Sequence, residues 1–240
     1  MKICILIPHN YPTFHTDFTV SLVSMIMGFY QWRDEMKRDD TISWIKIGGF
    51  AIDKMRNALV KRALEDKEGF THLLFLDTDM VFPIDTIPKM IMDFEDNKDQ
   101  KIDCIAGLYT WKKPPFTPHV YLELNKKTEA FRVAGQFPLD RLFEIKATGA
   151  GCMMITTDFL KKCKKPVFRF TDKIGEDFYF FKKHQPKSLL DPTIKCGHLK
   201  QVAVSIDNYI DYNGFERVGK NFKINKNLDK IAEMHKKNQK

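Results

Sequence analysis

No stretch of this sequence is apolar for long enough to cross a bilayer, so no transmembrane segment is expected. Cysteine is scarce: the 240 residues hold five, an odd number with no CxxC pairing. That argues against a disulfide framework and for free thiols in a reducing, cytoplasmic compartment. Internal repeats and low-complexity blocks are missing as well. The opening Met1-Lys2-Ile3-Cys4-Ile5-Leu6-Ile7-Pro8 lacks a cleavable signal pattern and reads as a first strand.

What is present is an ordinary globular composition, 43% apolar and 29% charged, in a chain of 28.1 kDa. This is enough to bury one full core, expected over residues 1–200, with a lysine-rich and partly helical extension over 201–240. The net charge is +8, from 39 Lys plus Arg against 31 Asp plus Glu. Solvated surface lysine accounts for it; so does attraction to an anionic partner, and charge alone does not choose.

Leu73-Leu74-Phe75-Leu76 reads as a strand buried on both faces, and it stops on Asp77-Thr78-Asp79. Around it the periodicities alternate. A strand over 3–7 precedes a helix capped by Thr16, with Phe18, Leu22, Met25, Ile26 and Phe29 inward. A strand over 42–47 precedes a helix capped by Asp53, with Ala58, Leu59, Ala63 and Leu64 inward. The Asp77 strand is followed by a helix over 84–95 and a strand over 103–108. This β-α-β-α-β-α-β order is the signature of a parallel α/β sheet. The second half, with strands over 120–124 and 142–146, makes the sheet mixed. A helix opens after Gly175, a strand closes at residues 194–198, and another helix is expected from Asn225.

Several residues carry candidate chemistry. Ligands of open α/β sheets bind at the carboxyl ends of the strands, and two acids there suit a divalent cation and, through it, phosphates. Met80-Val81-Phe82 keeps the next turn apolar, and partly desolvated carboxylates call for a counter-cation. His198 after Gly197 is a third ligand candidate, and an imidazole among carboxylates favours Mn²⁺ over Mg²⁺. Glu176-Asp177, before an aromatic run, is either a helix start facing the macrodipole or a general base with a raised pKa. Gly149 and Gly151 form a turn, or a backbone that a ligand approaches closely. Arg56, on the first turn of a helix, is a solvated cation or a diphosphate partner.

Taken in order, Ile5-Leu6-Ile7-Pro8, Arg56-Asn57-Ala58-Leu59-Val60, Asp77-Thr78-Asp79, Gly149-Ala150-Gly151-Cys152, Glu176-Asp177 and Cys196-Gly197-His198 resemble the GT-A glycosyltransferases, most closely those similar to family 2. The resemblance spans residues 1–200. It implies a Rossmann-like, mostly parallel but mixed central sheet flanked by helices. It also implies transfer of a sugar from a nucleoside-diphosphate donor to an acceptor hydroxyl. Asp77, Asp79 and His198 would hold the Mn²⁺ or Mg²⁺. Pro8, Arg56, Asp77, Thr78, Gly149 and Gly151 would line the donor. Asp177 would be the general base of an inverting reaction, and Glu176 would orient it or the acceptor, whether carbohydrate, protein or modified nucleic acid.

Departures from the family narrow this. No Gln-x-x-Arg-Trp motif follows Asp177 and no membrane helix is expected, which argues against a processive synthase, and the Arg56 helix is also similar to that of certain retaining mannosyltransferases. A nucleotidyltransferase needs a glycine-rich loop after the first strand, and residues 8–16 contain no glycine. A non-catalytic nucleic-acid-binding module would use the positive charge, but acids at a strand end would repel phosphate.

Overall fold

The computed structural model describes residues 1–10, 13–125, 128, 130–200, 203–204, 206, 215–218 and 221–224. The helix expected from Asn225, and most of the extension 201–240, lie outside the described residues. In chain order the first half is β1 (Lys2–His9), α1 (Thr16–Glu35), β2 (Thr41–Gly48), α2 (Ile52–Leu64), β3 (His72–Leu76), β4 (Met80–Val81), α3 (Thr86–Asp96) and β5 (Cys104–Leu108). The second half is β6 (Tyr121–Leu124), β7 (Phe131–Val133), β8 (Phe143–Ile145), β9 (Cys152–Thr156), α4 (Thr157–Lys162), α5 (Glu176–His184), β10 (Ser188–Lys195), β11 (Gly197–Leu199), β12 (Ala203–Val204), β13 (Phe215–Val218) and β14 (Asn221–Ile224).

Seven strands form the central sheet in the order β2-β1-β3-β9-β5-β10-β8. β1 runs parallel to β2 and β3, and β10 runs parallel to β5. β9 is antiparallel to both β3 and β5, and β8 is antiparallel to β10. The sheet is therefore mostly parallel, mixed and flanked by helices, the architecture that the GT-A resemblance implies.

Strand periodicity builds the core. Ile3, Ile5 and Ile7 of β1 point to the face covered by α1 and α3, through Phe18, Met25, Phe29, Met90 and Ile91. Cys4 and Leu6 point to the other face, where Leu59, Val60 and Ala63 of α2 pack with Phe75, Phe168 and Phe180. Leu73 through Leu76 are fully buried because both faces of β3 are covered. Each such side chain contributes about 1.5–3 kcal/mol by leaving water. All five cysteines are free thiols. Among the described residues no helix is long and apolar enough to cross a membrane.

Three local expectations change. His15, not Thr16, caps α1, its Nδ1 accepting from the Asp17 N–H at 3.2 Å. Ala51 is the N-cap of α2, so Asp53 lies within the first turn. Met55, Arg56, Leu59, Val60 and Ala63 face inward there, while Ala58 is exposed and Leu64 half-buried. The larger side chains set the phase of the helix, because Ala58 gains little by burial. Finally, Met80-Val81 is a strand rather than an apolar turn. β4 pairs antiparallel with β11, β11 with β12, and α3 starts only at Thr86.

Candidate active site at the strand ends

Asp77 and Asp79 follow β3 at the carboxyl edge of the sheet, and the fold sends them to different partners. The backbone N–H of Asp77 donates to the Gly151 carbonyl at 3.1 Å. Its carboxylate accepts from Nη2 of Arg56 at 2.8 and 3.0 Å. Arg56 is only 2% exposed; its Nε donates to Glu176 at 3.2 Å and its Nη1 to the Ala150 carbonyl at 3.4 Å. Burial works against the guanidinium charge, and Asp77, Glu176 and Asp177 together hold it charged. Arg56 thus ties β3, α2, the loop 149–151 and α5 together. Its guanidinium is engaged by carboxylates and almost wholly buried.

Asp79 faces the open side, with a side chain 48% exposed. Its Oδ2 accepts from the Lys112 ammonium and lies 3.6 Å from Nε2 of His198. The β4–β11 pairing sets His198 opposite Met80, and the Leu199 N–H donates to the Asp79 carbonyl at 2.6 Å. Nδ1 of His198 lies 2.8 Å from the Thr110 carbonyl. A carbonyl only accepts, so Nδ1 carries a proton, and Nε2 is the nitrogen turned toward Asp79. Burial would raise the Asp79 carboxyl, but His198 and Lys112 outweigh it and hold it well below the usual carboxylate range.

The resemblance implies a divalent cation here, and the donor set fits one in part. An imidazole nitrogen oriented by a backbone carbonyl, facing a carboxylate oxygen, is the chemistry of a metal ligand pair. Asp79 and His198 form that pair, whereas Asp77 is held by Arg56 and stands apart from it. Among the described residues no group of three or more His, Cys, Asp or Glu is arranged to hold a metal. Thr78 lies half-buried between the two aspartates, and Pro8 is buried inside β1 opposite Ile47.

The third part of the site is the start of α5. Gly175 is its N-cap, Glu176 is buried, and Asp177 accepts from the Phe178 N–H at 2.7 Å. Burial first, and the neighbouring Glu176 charge second, push the Asp177 carboxyl up to about 7. Tyr109 joins this group to the Asp79 side. Its ring lies edge-on to His198 at 5.7 Å between centroids, and its hydroxyl accepts from the Gly151 N–H at 3.2 Å. A Cβ on Gly149 would sit 2.0 Å from the Tyr109 hydroxyl and 3.3 Å from Asp177 Oδ2, so only glycine fits there. On Gly151 it would lie 3.2 Å from the same ring.

Sequence reasoning missed Tyr109, Trp111, Lys112 and His119. Tyr109 and His119 lie 4.6 Å apart with their rings tilted by 30°, and Trp111 lies flat on His119 at 5.0 Å and 11°. The other face of Trp111 is open, the residue being half exposed. The available signal was positional. These residues follow β5, which ends on the same sheet edge as β3, so the strand-end rule that singled out Asp77 reaches them too.

No protein-family model matches this chain, and no curated protein does. Among solved structures, the chain is similar to A197 from STIV, with a TM-score of 0.64, 22% identity, and 87% of this chain and 92% of that one covered. It is less similar to residues 1–349 of TarS from S. aureus, with a TM-score of 0.45, 15% identity, and 80% and 58% covered. A glycosyltransferase involved in glycosylation of the major capsid of PBCV-1 gives a TM-score of 0.40, 13% identity, and 79% and 81% covered. At scores below 0.5 the last two carry no argument about activity, and the first shows a shared fold along most of both chains.

Proposed function

We propose that the protein is a glycosyltransferase that takes a sugar from a nucleoside-diphosphate donor and passes it to an acceptor hydroxyl. The observation that carries this reading is the division of labour at one sheet edge. Asp79 and His198 face each other on the open side, while Asp177, with its carboxyl raised to about 7, waits across Tyr109 and Gly149.

Asp79 and His198 would hold a divalent cation, with the remaining positions left to the donor phosphates, and the imidazole favours Mn²⁺. Bound there, the cation neutralises charge developing on the leaving diphosphate. His198 keeps its free nitrogen aimed because Thr110 holds the other. Gly149 and Gly151 let Tyr109 lie against their backbone beside Asp177, and that shared wall would face the donor sugar. Asp177 takes the proton of the acceptor hydroxyl as that oxygen attacks the anomeric carbon in line, which inverts its configuration. A pKa near the working pH suits a group that must be deprotonated before the reaction and protonated after it. Glu176 and Arg56 position that base: Arg56 anchors Glu176, and Glu176 raises Asp177.

Thermal-shift titration with a panel of nucleoside diphosphates, in Mn²⁺, in Mg²⁺ and in chelator, tests the donor site. One nucleotide should raise the melting temperature with metal only, and Asp79→Asn should abolish the shift, since a ligand stabilises the state it binds. Silence across the whole panel would overturn the donor-site reading.

A further inference from the structure

We propose that Lys112 is an exchangeable cation of the donor site: it holds Asp79 while the donor is absent and passes to the donor phosphates when a divalent ion takes Asp79. This rests on the glycosyltransferase reading above and adds to it a residue that moves between two anionic partners.

The ammonium of Lys112 meets the same oxygen, Oδ2 of Asp79, that Nε2 of His198 faces at 3.6 Å. In the donor-free protein Lys112 therefore occupies the very oxygen that a cation shared with His198 would need. Both members of its pair are open to water, Lys112 at 34% and Asp79 at 48% exposure. Such a pair contributes little and breaks cheaply. Arg56–Asp77 is the opposite case: one nitrogen of a buried guanidinium meets both Asp77 oxygens, and it does not exchange.

The backbone leading to Lys112 is fixed, which confines the movement to its side chain. The Thr110 carbonyl accepts from His198 at 2.8 Å, and the Trp111 N–H donates to the Thr117 carbonyl at 2.9 Å. The indole of Trp111 is stacked on His119. From this anchor a flexible four-carbon stem carries a compact charge, the kind of group that binds phosphate as a point charge. A diphosphate arriving at Asp79 adds negative charge to an edge already rich in carboxylates, Asp77, Asp79 and Glu176 among them. Release of Lys112 from Asp79 therefore frees a cation where the new charge appears.

Calorimetry on wild type, Lys112→Met, Lys112→Arg and Asp79→Asn tests this, using Mn²⁺ alone and then pyrophosphate in the presence of Mn²⁺. Pyrophosphate stands in for the donor diphosphate whatever the base. Without its competitor, Asp79 in Lys112→Met should take Mn²⁺ about fivefold more tightly than in wild type. The same variant should bind pyrophosphate about tenfold more weakly, and Lys112→Arg should restore most of that loss. Equal Mn²⁺ affinity in wild type and Lys112→Met, with Asp79→Asn still impaired, would overturn the exchange and leave the donor-site reading standing. Failure of all four proteins to bind Mn²⁺ would overturn both.

Discussion

Asp77 and Asp79 are two residues apart on one strand end, and they occupy opposite electrostatic worlds. Asp77 belongs to a closed cluster with Arg56, Glu176 and Asp177, in which Asp77 and Glu176 are both paired to a buried guanidinium. Asp79 belongs to an open cluster with Lys112 and His198, half in water and built from partners that can let go. A buried ion pair is costly to break because the abandoned charge has no water to turn to, whereas an exposed one is exchanged at little cost. The closed cluster therefore holds the sheet edge and the helix of the base in register, and the open one is left for a ligand.

The sharpest way to break this contrast is at Arg56. Arg56→Gln leaves the buried Glu176 and the half-buried Asp77 without their counter-charge and should cost about 3–5 kcal/mol, a fall of about 10 °C in melting temperature. A variant as stable as wild type would show that the closed cluster does not hold the fold.

Asp177 sharpens the contrast through pH. Its carboxyl titrates at about 7 in the folded protein and near 3.9 in the unfolded chain. Between those values the unfolded chain has already given up the proton that the folded protein keeps. Stability should thus fall as pH rises from about 4 to about 7 and then level off, with Asp177→Asn removing that slope. The transfer rate should move the other way, rising with pH through about 7 as the base becomes free. Asp177→Asn should lower that rate about a hundredfold to ten-thousandfold while nucleotide binding persists. Stability curves and initial rates across pH 4–9 measure both.

Asp79→Asn should have the smallest effect on the fold. Its carboxyl is held low, so its contribution is present above about pH 4 and is lost on acidification. With both ion-pair partners in contact with water, the loss should stay within about 1 kcal/mol by denaturant melts. A larger loss would erase the difference between the two clusters.

Much of the frame was legible in advance. The apolar runs at 3–7 and 73–76 are buried strands, and the stripe Phe18, Met25, Phe29 is the buried face of α1. The structure brings Asp79 and His198 together from across the chain, and it brings Asp177 to the same edge. The partners of Arg56 were not legible, because an arginine on a first helical turn has the same local pattern whether its head meets water or carboxylates. Met80-Val81 was unreadable as a strand, since two residues carry no periodicity and their pairing partner lies at 197–198. Lys112 had no local signal apart from following a strand.

The sequence by itself determined the alternation of strands and helices, the edge on which acids gather, and the bare backbone at Gly149 and Gly151. These follow from period, propensity and side-chain volume, which are local properties. Only the tertiary structure decided which aspartate is closed and which is open. That choice depends on Arg56 meeting Glu176, 120 residues further on, and on β11 laying His198 and Leu199 beside Asp79. Burial and ion pairing are set by whichever segments the fold brings together, and those segments are far apart in the chain.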